Sequence, residues 1–365
     1  MAGSFRYVTP VEPRDATGRT ARVYAQLAED FGLARMALFL TLSPSAEVLA
    51  ATWALLRESL LAGQASRTGK EVVALGVSMA NRCPFCVAAH TTLLHATGDH
   101  RLAEGIARGG TPADPGYAAL LDWAKAPGGG AGPYPVAHAP EYAGTALAFH
   151  FINRMASALL TEDLLPGGLQ RSRLVRSLSG RGLARTVRRR LPPGASLPLI
   201  EDLPAAAEPP WAAGTPVGAA YAALLAAAGA GGELLGDRAR AAVADAVAGW
   251  DGEHPAVGAA WLDGPLTDLP PEDRAGARLA LLTAFAPYRV TDADVAAWRG
   301  SAITGADVSA WDESVITDAD MPAWDGSAAT DADLVRLCAF GAISATAHLA
   351  ARITTTAHAP LGDLS

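Results

Sequence analysis

The sequence predicts an all-α protein, and three observations support this. Apolar residues recur at helical spacing through most of the chain, glycine and proline divide it into segments of helical length, and no run of alternating strand residues appears. Half of the 365 residues are hydrophobic and 18% are charged, which is typical of a globular protein with a sizeable core. The length allows two domains.

The N-terminal stretch is expected to contain two helices. Asp15 and Thr17 are candidate N-caps for the first, whose apolar residues recur at helical spacing up to Gly32. Pro44 is expected at the first position of the second helix, where its missing N–H costs nothing, and Gly63 ends that helix. The later segments expected in the first half are helices at 68–81, 84–98, 101–108, 115–125 and 141–160, with a flexible loop at 126–135.

Residues 171–210 are expected to connect two domains that cover 1–170 and 211–365. Eight arginines lie between Arg171 and Arg190, and a proline-rich stretch follows them. One interpretation is a basic helix face that lies on an acidic body. The alternative is a surface for an anionic partner or a membrane.

The second half is predicted to be a degenerate copy of the first. Helical spacing resumes at 217–229, 233–249 and 272–286. The stretch FAPYRVTDADVAAW can be laid over RCPFCVAAHTTLL, which predicts a duplicated unit whose second copy has lost its thiols. The residues that fall at the positions of Cys83, Pro84, Phe85 and Cys86 are Ala286, Pro287, Tyr288 and Arg289.

A repeat of thirteen residues lies inside the second half, in four copies that begin at 290, 303, 316 and 329. In each copy a threonine is followed three residues later by an aspartate, the pattern of a helix N-cap with a negative charge in the first turn. The tryptophans would bury successive short helices on a common surface. Paired aspartates could bind calcium, but the glycine and terminal glutamate of an EF-hand loop are missing. The threonines are Thr291, Thr304, Thr317 and Thr330, and the tryptophans are Trp298, Trp311 and Trp324.

The composition excludes several classes of protein. A net charge of −8 and an isoelectric point near 5.5 argue against nucleic acid as the main partner. No secretory signal is visible at the N-terminus, and no membrane span is expected. Three cysteines are too few for a secreted disulfide framework, so a close pair indicates redox or metal chemistry in the cytoplasm.

The most informative stretch is 66–98, because it holds two of the three cysteines. Cys83 and Cys86 form a C-P-F-C motif, and Pro84 favours a helix in which Cys83 is the N-cap. Cys86 then falls in the first turn, near unpaired N–H groups and the positive end of the helix dipole. That position is expected to favour the thiolate of Cys86 and to lower its pKa.

Two further residues are expected beside the thiols. His90 lies four residues after Cys86, on the same face of the helix, and can take the thiol proton. Glu71, on the preceding helix, can orient and polarise His90. A sulfenate on Cys86 could then condense with Cys83 to give a disulfide, which an outside dithiol would reduce by exchange.

These four residues match the E-x11-C-x-x-C-x3-H core of the AhpD-like alkylhydroperoxidases, in the carboxymuconolactone decarboxylase superfamily, and the flanking residues resemble that family as well. The close resemblance covers 20–165. It implies an all-helical, often oligomeric protein with thiol peroxidase activity and no haem, flavin or metal. By position, Cys86 would be the peroxidatic cysteine, Cys83 the resolving cysteine, and His90 and Glu71 the proton relay. Some members have a second histidine between the cysteines, whereas this chain has Phe85 there.

The leading functional hypothesis is a cytoplasmic alkylhydroperoxidase of the peroxiredoxin type. It would reduce alkyl hydroperoxides or hydrogen peroxide through a Cys83–Cys86 disulfide, with electrons from a lipoylated or thioredoxin-like dithiol protein. One alternative is a decarboxylase or lactone-handling enzyme of the same superfamily, whose chemistry does not need two thiols. Another is a non-catalytic redox-sensing or scaffold protein.

Individual residues also have simpler interpretations. His90 and His95 could complete a zinc site with the two cysteines, or the cysteines could be buried and inert. Cys338 stands alone in an apolar helix and is expected in the core. On the helix at 141–160, three polar residues at helical spacing predict a structural hydrogen-bond cluster, or else a wall beside the thiols. They are His150, Asn153 and Arg154.

Overall fold

A computed structural model describes residues 5–126, 130–162, 183–305 and 329–354. Within these ranges the protein is helical and forms no strand, which confirms the all-α prediction. Two isolated bridges join Phe5 to Leu160 and Ala62 to Leu191. The helices of the first half are α1 (Gly18–Phe31), α2 (Ala37–Leu42), α3 (Ala46–Leu56), α4 (Arg67–Ala80), α5 (Pro84–Thr97), α6 (His100–Ala107), α7 (Pro115–Lys125) and α8 (Ala139–Leu159).

The helices of the second half follow a short helical segment at 183–187. The predicted segments at 217–229 and 272–286 are confirmed within one residue at each end, while the one predicted at 233–249 begins four residues later. The helices are α9 (Pro216–Gly229), α10 (Asp237–Ala248), α11 (Asp263–Leu266), α12 (Pro271–Phe285), α13 (Asp292–Gly305) and α14 (Asp331–Thr354).

The N-terminal helices differ from the prediction in three details. Thr17 is the N-cap residue of α1, but its side chain makes no capping hydrogen bond. Pro44 is not a first helical residue, because Ser45 is the N-cap and α3 begins at Ala46. The helix α2 precedes it as a separate element. After α3 the chain continues as one π-helical turn, Arg57–Leu61, before Gly63 adopts a positive φ of 92°.

The π-helical turn carries a buried ion cluster that anchors the proline-rich segment. Arg57 donates to the Asp30 carboxylate at 2.7 Å and to the Pro192 carbonyl at 3.2 Å. Glu58 accepts hydrogen bonds from the N–H and hydroxyl of Ser196. Removal of one partner from such a buried pair destabilises a fold by about 3–5 kcal/mol. The connector is therefore fixed to the first half from residue 192 onward.

A continuous core runs through both halves. Helix α4 packs against α5, α7 and α8, and α8 in turn packs against α14. In the second half α12 packs against α13 and α14. The predicted domain boundaries and the predicted duplication stay predictions. Arg171 and its neighbours up to 182 lie outside the described residues.

Two helical stretches, Pro216–Leu234 and Asp331–Arg352, are long and apolar enough to cross a membrane by length and composition. The sequence-based expectation of no span overlooked them. In these stretches 56% and 67% of the apolar window is buried inside the protein, and the core helix of a soluble protein passes the same test. The finding is therefore weak evidence for a membrane span.

The first and last copies of the thirteen-residue repeat are helix caps, as predicted. At the start of α13 the Thr291 N–H donates to the Asp294 carboxylate and the Asp294 N–H donates to the Thr291 hydroxyl; Thr330 and Asp333 do the same at the start of α14. Trp298 is 4% exposed and lies in the core. The tryptophans of the second and third copies, Trp311 and Trp324, lie outside the described residues, as does Thr317, and nothing is described of the Thr304 side chain.

Candidate active site

The site is built on the helical hairpin of α4 and α5. Ser66 caps α4 by accepting from the Gly69 N–H, and α4 ends at Asn81. Arg82 has a φ of 53°, and the Cys83 N–H then donates to the Ser78 carbonyl at 3.0 Å. A bulky residue with positive φ is strained, and it makes the chain reverse tightly here. Helix α5 therefore runs back along α4.

The start of α5 is as the sequence predicts. Cys83 is the N-cap residue, Pro84 is the first helical residue and Gly98 ends the helix in the left-handed region. Both cysteines are buried, and neither forms a disulfide in this structure.

Glu71 and His90 meet as predicted. Nδ1–H of His90 donates to Oε2 of Glu71 at 2.7 Å, and Glu71 is fully buried. The hydrogen bond at Nδ1 leaves Nε2 as the ring nitrogen that can exchange a proton with a neighbour. The ring of Phe149 meets the imidazole edge to face, with centroids 4.3 Å apart, and fixes its plane.

Arg67 is a third member of this relay, which the sequence analysis missed. Its guanidinium donates twice to Oε1 of Glu71, at 3.0 and 2.7 Å. Burial alone would raise the pKa of Glu71, but the charges and hydrogen bonds of Arg67 and His90 outweigh it and lower that pKa. Glu71 is therefore a carboxylate that holds His90 in one orientation. The i, i+4 spacing of Arg67 and Glu71 was the available signal.

The two thiols have opposite acidities, and this corrects the expectation for Cys86. Burial raises the pKa of Cys86 well above its ordinary value, and its hydrogen bond to Cys83 raises it further. Burial also opposes ionisation of Cys83. The Cys86 thiol, the Ser157 hydroxyl and the Cys86 backbone N–H outweigh burial and lower the pKa of Cys83. The thiolate is thus favoured on Cys83, with the Cys86 thiol as a donor to it.

The expectation for Cys86 was wrong because it considered only the helix dipole. The orphan N–H groups of the first turn point toward the N-cap, and the N-cap is Cys83. Cys86 is 3% exposed, and so the loss of hydration dominates there.

A cavity of 250 Å³ opens beside Cys83. The phenyl ring of Phe85 and the buried hydroxyl of Ser157 line it, and that hydroxyl has no hydrogen-bond partner of ordinary geometry within the described residues. Arg6 and Tyr288 line the cavity from the chain's start and from its second half. Neither residue could be linked to the thiols from the sequence, because only the tertiary fold brings them there.

Comparison with known proteins places the chain in a family. A model of the carboxymuconolactone decarboxylase family matches residues 46–126. The chain is 41% identical over 300 residues to the alkyl hydroperoxide reductase Rv2159c of Mycobacterium tuberculosis (strain ATCC 25618 / H37Rv), which spans 80% of this chain and 86% of that protein. The chain belongs to the AhpD-like carboxymuconolactone decarboxylase superfamily. No solved structure matches it.

In this AhpD-like chain His95, the second histidine considered for a zinc site, contacts residues of α6 and not His90 or Glu71. His95 Nε2 pairs with the Glu104 carboxylate at 2.9 Å and its Nδ1 contacts His100, whereas His90 pairs with Glu71. Across the described ranges, no group of three histidine, cysteine or acidic residues is arranged to hold a metal ion.

The polar residues of α8 form a structural cluster in this AhpD-like fold. Asn153 accepts from the Ser78 hydroxyl at 3.2 Å, and Arg154 donates to the carbonyls of Ala284 and His150, both at 2.7 Å. Burial lowers the pKa of Arg154 to about 9. None of the three predicted residues lines the cavity beside Cys83. They tie α8 to α4 and to α12.

Cys338 lies in the core of α14, as predicted. Burial raises its pKa to about 12, although the Thr283 hydroxyl opposes this. Cys338 therefore shows how burial affects the pKa of a thiol that has no second thiol beside it, and it serves as the comparison for Cys83 and Cys86.

Proposed function

We propose that this protein is a thiol peroxidase that reduces alkyl hydroperoxides or hydrogen peroxide through a Cys83–Cys86 disulfide. The single observation that carries the proposal is the buried pair of Cys83 and Cys86 in the first turn of α5, with Cys83 in the wall of a small cavity. The name of the M. tuberculosis relative supports a peroxide rather than a lactone as substrate.

The first step is attack by the Cys83 thiolate on the outer oxygen of the peroxide. The O–O bond breaks, Cys83 becomes a sulfenic acid, and the departing alkoxide takes a proton to leave as an alcohol, or as water from hydrogen peroxide. Cys83 suits this step better than Cys86 because it lines the cavity and its pKa is lowered, whereas that of Cys86 is raised. The roles of the cysteines are therefore exchanged relative to those that the family resemblance implies.

The second step is disulfide formation. His90 Nε2 takes the proton of Cys86, and Glu71 stabilises the resulting imidazolium through Nδ1. The Cys86 thiolate attacks the Cys83 sulfur, and hydroxide leaves as water with a proton returned by His90. An external dithiol, from a lipoylated or thioredoxin-like protein, then reduces the disulfide and is itself oxidised. The cytoplasm, where such dithiols are kept reduced, suits this cycle.

The test is an anaerobic titration of the fully reduced protein with hydrogen peroxide, followed by thiol counting and peptide mapping. One equivalent should remove two thiols and link Cys83 to Cys86, while Cys338→Ser, the matched control, behaves in the same way. An unchanged thiol count, or full turnover by Cys86→Ser, would refute the proposal.

The order of the two cysteines is tested with a sulfenic-acid trap. Cys86→Ser should accumulate the adduct on Cys83 after one equivalent of peroxide, because no thiol remains to condense with it. Cys83→Ser should accumulate little adduct on Cys86. The reverse pattern would return the attacking role to Cys86 and leave the disulfide cycle intact.

A further inference from the structure

A second cavity, of 490 Å³, lies at the other end of the α4–α5 hairpin from the thiols. Thr97, in the last turn of α5, is part of its wall. Since Thr97 is eleven residues beyond Cys86, the two sites are about 16 Å apart along the helix. The cationic side chains that line this cavity are Arg67, Lys70, Arg188, Arg189 and Arg190.

Three of these arginines, Arg188, Arg189 and Arg190, come from the described part of the Arg-rich segment, and tertiary contacts hold that segment in place. Arg188 Nε donates to the Ala96 carbonyl at 3.1 Å, and Arg189 pairs with Asp30 at 3.0 Å. The next residue but one, Leu191, bridges to Ala62. The three consecutive guanidinium groups are therefore brought to the cavity by tertiary contacts and are not merely the face of a solvated helix.

The cavity carries more positive than negative charge. Arg67 pairs with Glu71, Lys70 pairs with Glu141, and Arg189 shares Asp30 with the buried Arg57. Arg188 and Arg190 are exposed, and no carboxylate of the described residues lies within ion-pair distance of either. Within the described residues, the positive charges of Arg188 and Arg190 are therefore not balanced by a carboxylate and could be balanced by a bound anion.

We propose that this cavity binds a small phosphate-bearing anion. Planar guanidinium groups bind phosphate oxygens with paired N–H donors, and two surplus charges match the charge of a phosphate dianion. The site is concave, which favours a soluble molecule over the flat surface of a membrane. Binding of this ligand does not depend on the proposed peroxidase activity.

The ligand would also affect the thiol site, because Arg67 belongs to both. It lines the cavity and donates to Glu71, which holds His90. A bound anion attracts the guanidinium of Arg67, so that Glu71 loses part of its counter-charge and holds the imidazole proton more tightly. The imidazole also contacts the ring of Phe149 on α8, which is uncharged. Occupancy therefore changes the electrostatic environment of the His90 ring through its hydrogen bond to Glu71.

Binding is tested by calorimetric titration of the full-length protein with sodium pyrophosphate at ionic strength held constant with sodium chloride. We expect saturable one-to-one binding that weakens at least tenfold in the double variant Arg188→Gln/Arg190→Gln. The matched control Arg14→Gln/Arg274→Gln removes the same charge elsewhere and should bind as the parent does. Circular dichroism establishes that both variants fold.

Three outcomes would overturn the proposal. They are no measurable binding, an equal loss of binding in the control variant, and binding to phosphatidylglycerol vesicles without binding to pyrophosphate, which would indicate a membrane surface. The link to the thiol site has its own readout, the imidazole NMR signal of His90, which should shift on saturation in the parent and not in Arg67→Gln. These measurements use no peroxide, so they are independent of the proposed catalytic cycle.

Discussion

The hairpin of α4 and α5 and the pair of α12 and α13 have helices of nearly equal length. Among the side chains that the structure describes, those of the first pair form a relay of ionisable groups in its interior and those of the second pair do not. In the first pair, Glu71, His90 and the two cysteines occupy buried positions. In the second pair the buried ionisable residue is Asp294, which caps α13 and pairs with Arg278. The Asp294 carboxylate accepts a hydrogen bond from the backbone of Thr291, whereas Glu71 and His90 in the first pair bond to each other's side chains.

The two halves also differ in the pKa of a buried cysteine, Cys83 in the first and Cys338 in the second. Cys338 lies in the core of the second half beside the hydroxyl of Thr283, and burial keeps it a neutral thiol by raising its pKa. Cys83 is equally buried, but it has a second thiol, a hydroxyl and a helix N–H around its sulfur. Burial alone therefore makes a cysteine inert, and several converging donors are needed to reverse its effect.

The largest expected difference is in thiol alkylation. At pH 7, Cys83 should react with iodoacetamide at least about a thousandfold faster than Cys338, because each pKa unit changes the thiolate fraction tenfold. The rate at Cys83 should rise with pH and level off below the range of an ordinary thiol, whereas that at Cys338, with a pKa of about 12, should still be rising at pH 10. Peptide mapping of the folded protein measures both, and similar rates would break the comparison.

The relay is tested next, by Glu71→Gln. Loss of the carboxylate should lower peroxide turnover by about a hundredfold, since positioned acid–base catalysis typically contributes at least that much. The control is Glu104→Gln, which alters the corresponding contact to His95 on the same helix, away from the thiols. If both variants lose activity equally, the loss reflects folding and not the relay.

The join between the halves should show a smaller effect, on stability. Arg154→Ala removes two hydrogen bonds to buried carbonyls and should lower the free energy of unfolding by about 3 kcal/mol, measured by urea denaturation. Arg274→Ala is the control, because Arg274 also donates to two carbonyls but is exposed. That variant should lose less than about 1 kcal/mol.

The smallest effect is expected at the repeat. Thr291→Ala and Thr330→Ala each remove a capping box and should cost about 1 kcal/mol. Thr291→Ser keeps the hydroxyl and should restore most of that loss. Urea denaturation checks both positions. A cost near zero at either threonine would contradict the prediction that the capping box there stabilises the fold.

Much of the fold could be predicted because its signals are local. Gly32, Gly98 and the Cys83–Pro84 pair mark helix ends through their own backbone preferences, and the structure agrees. Pro44 was misplaced because one residue fits several positions near an N-terminus. The contact of Glu71 with His90 was predictable, since a tight turn between two helices brings a fixed spacing together.

The remaining features of the site depend on long-range contacts. Ser157 lines the cavity from α8, and Tyr288 lines it from the second half, where the sequence showed only a lost thiol motif. The difference in pKa between Cys83 and Cys86 depends on burial as well as on spacing, and burial is a property of the whole fold. For these reasons the motif predicted the members of the site but not their charges.

The position of Tyr288 has a consequence for any shortened version of the protein. Its hydroxyl meets His254, whose ring reaches the Ala80 carbonyl at the end of α4. A fragment that stops before residue 211 would keep every sulfur, imidazole and carboxylate of the motif but would lose this far wall. The cavity beside Cys83 would then be open on the side that Tyr288 lines. The second half, which lacks the C-x-x-C motif, therefore supplies one wall of the cavity, and substitutions there can change access to Cys83 without changing the cysteines, His90 or Glu71.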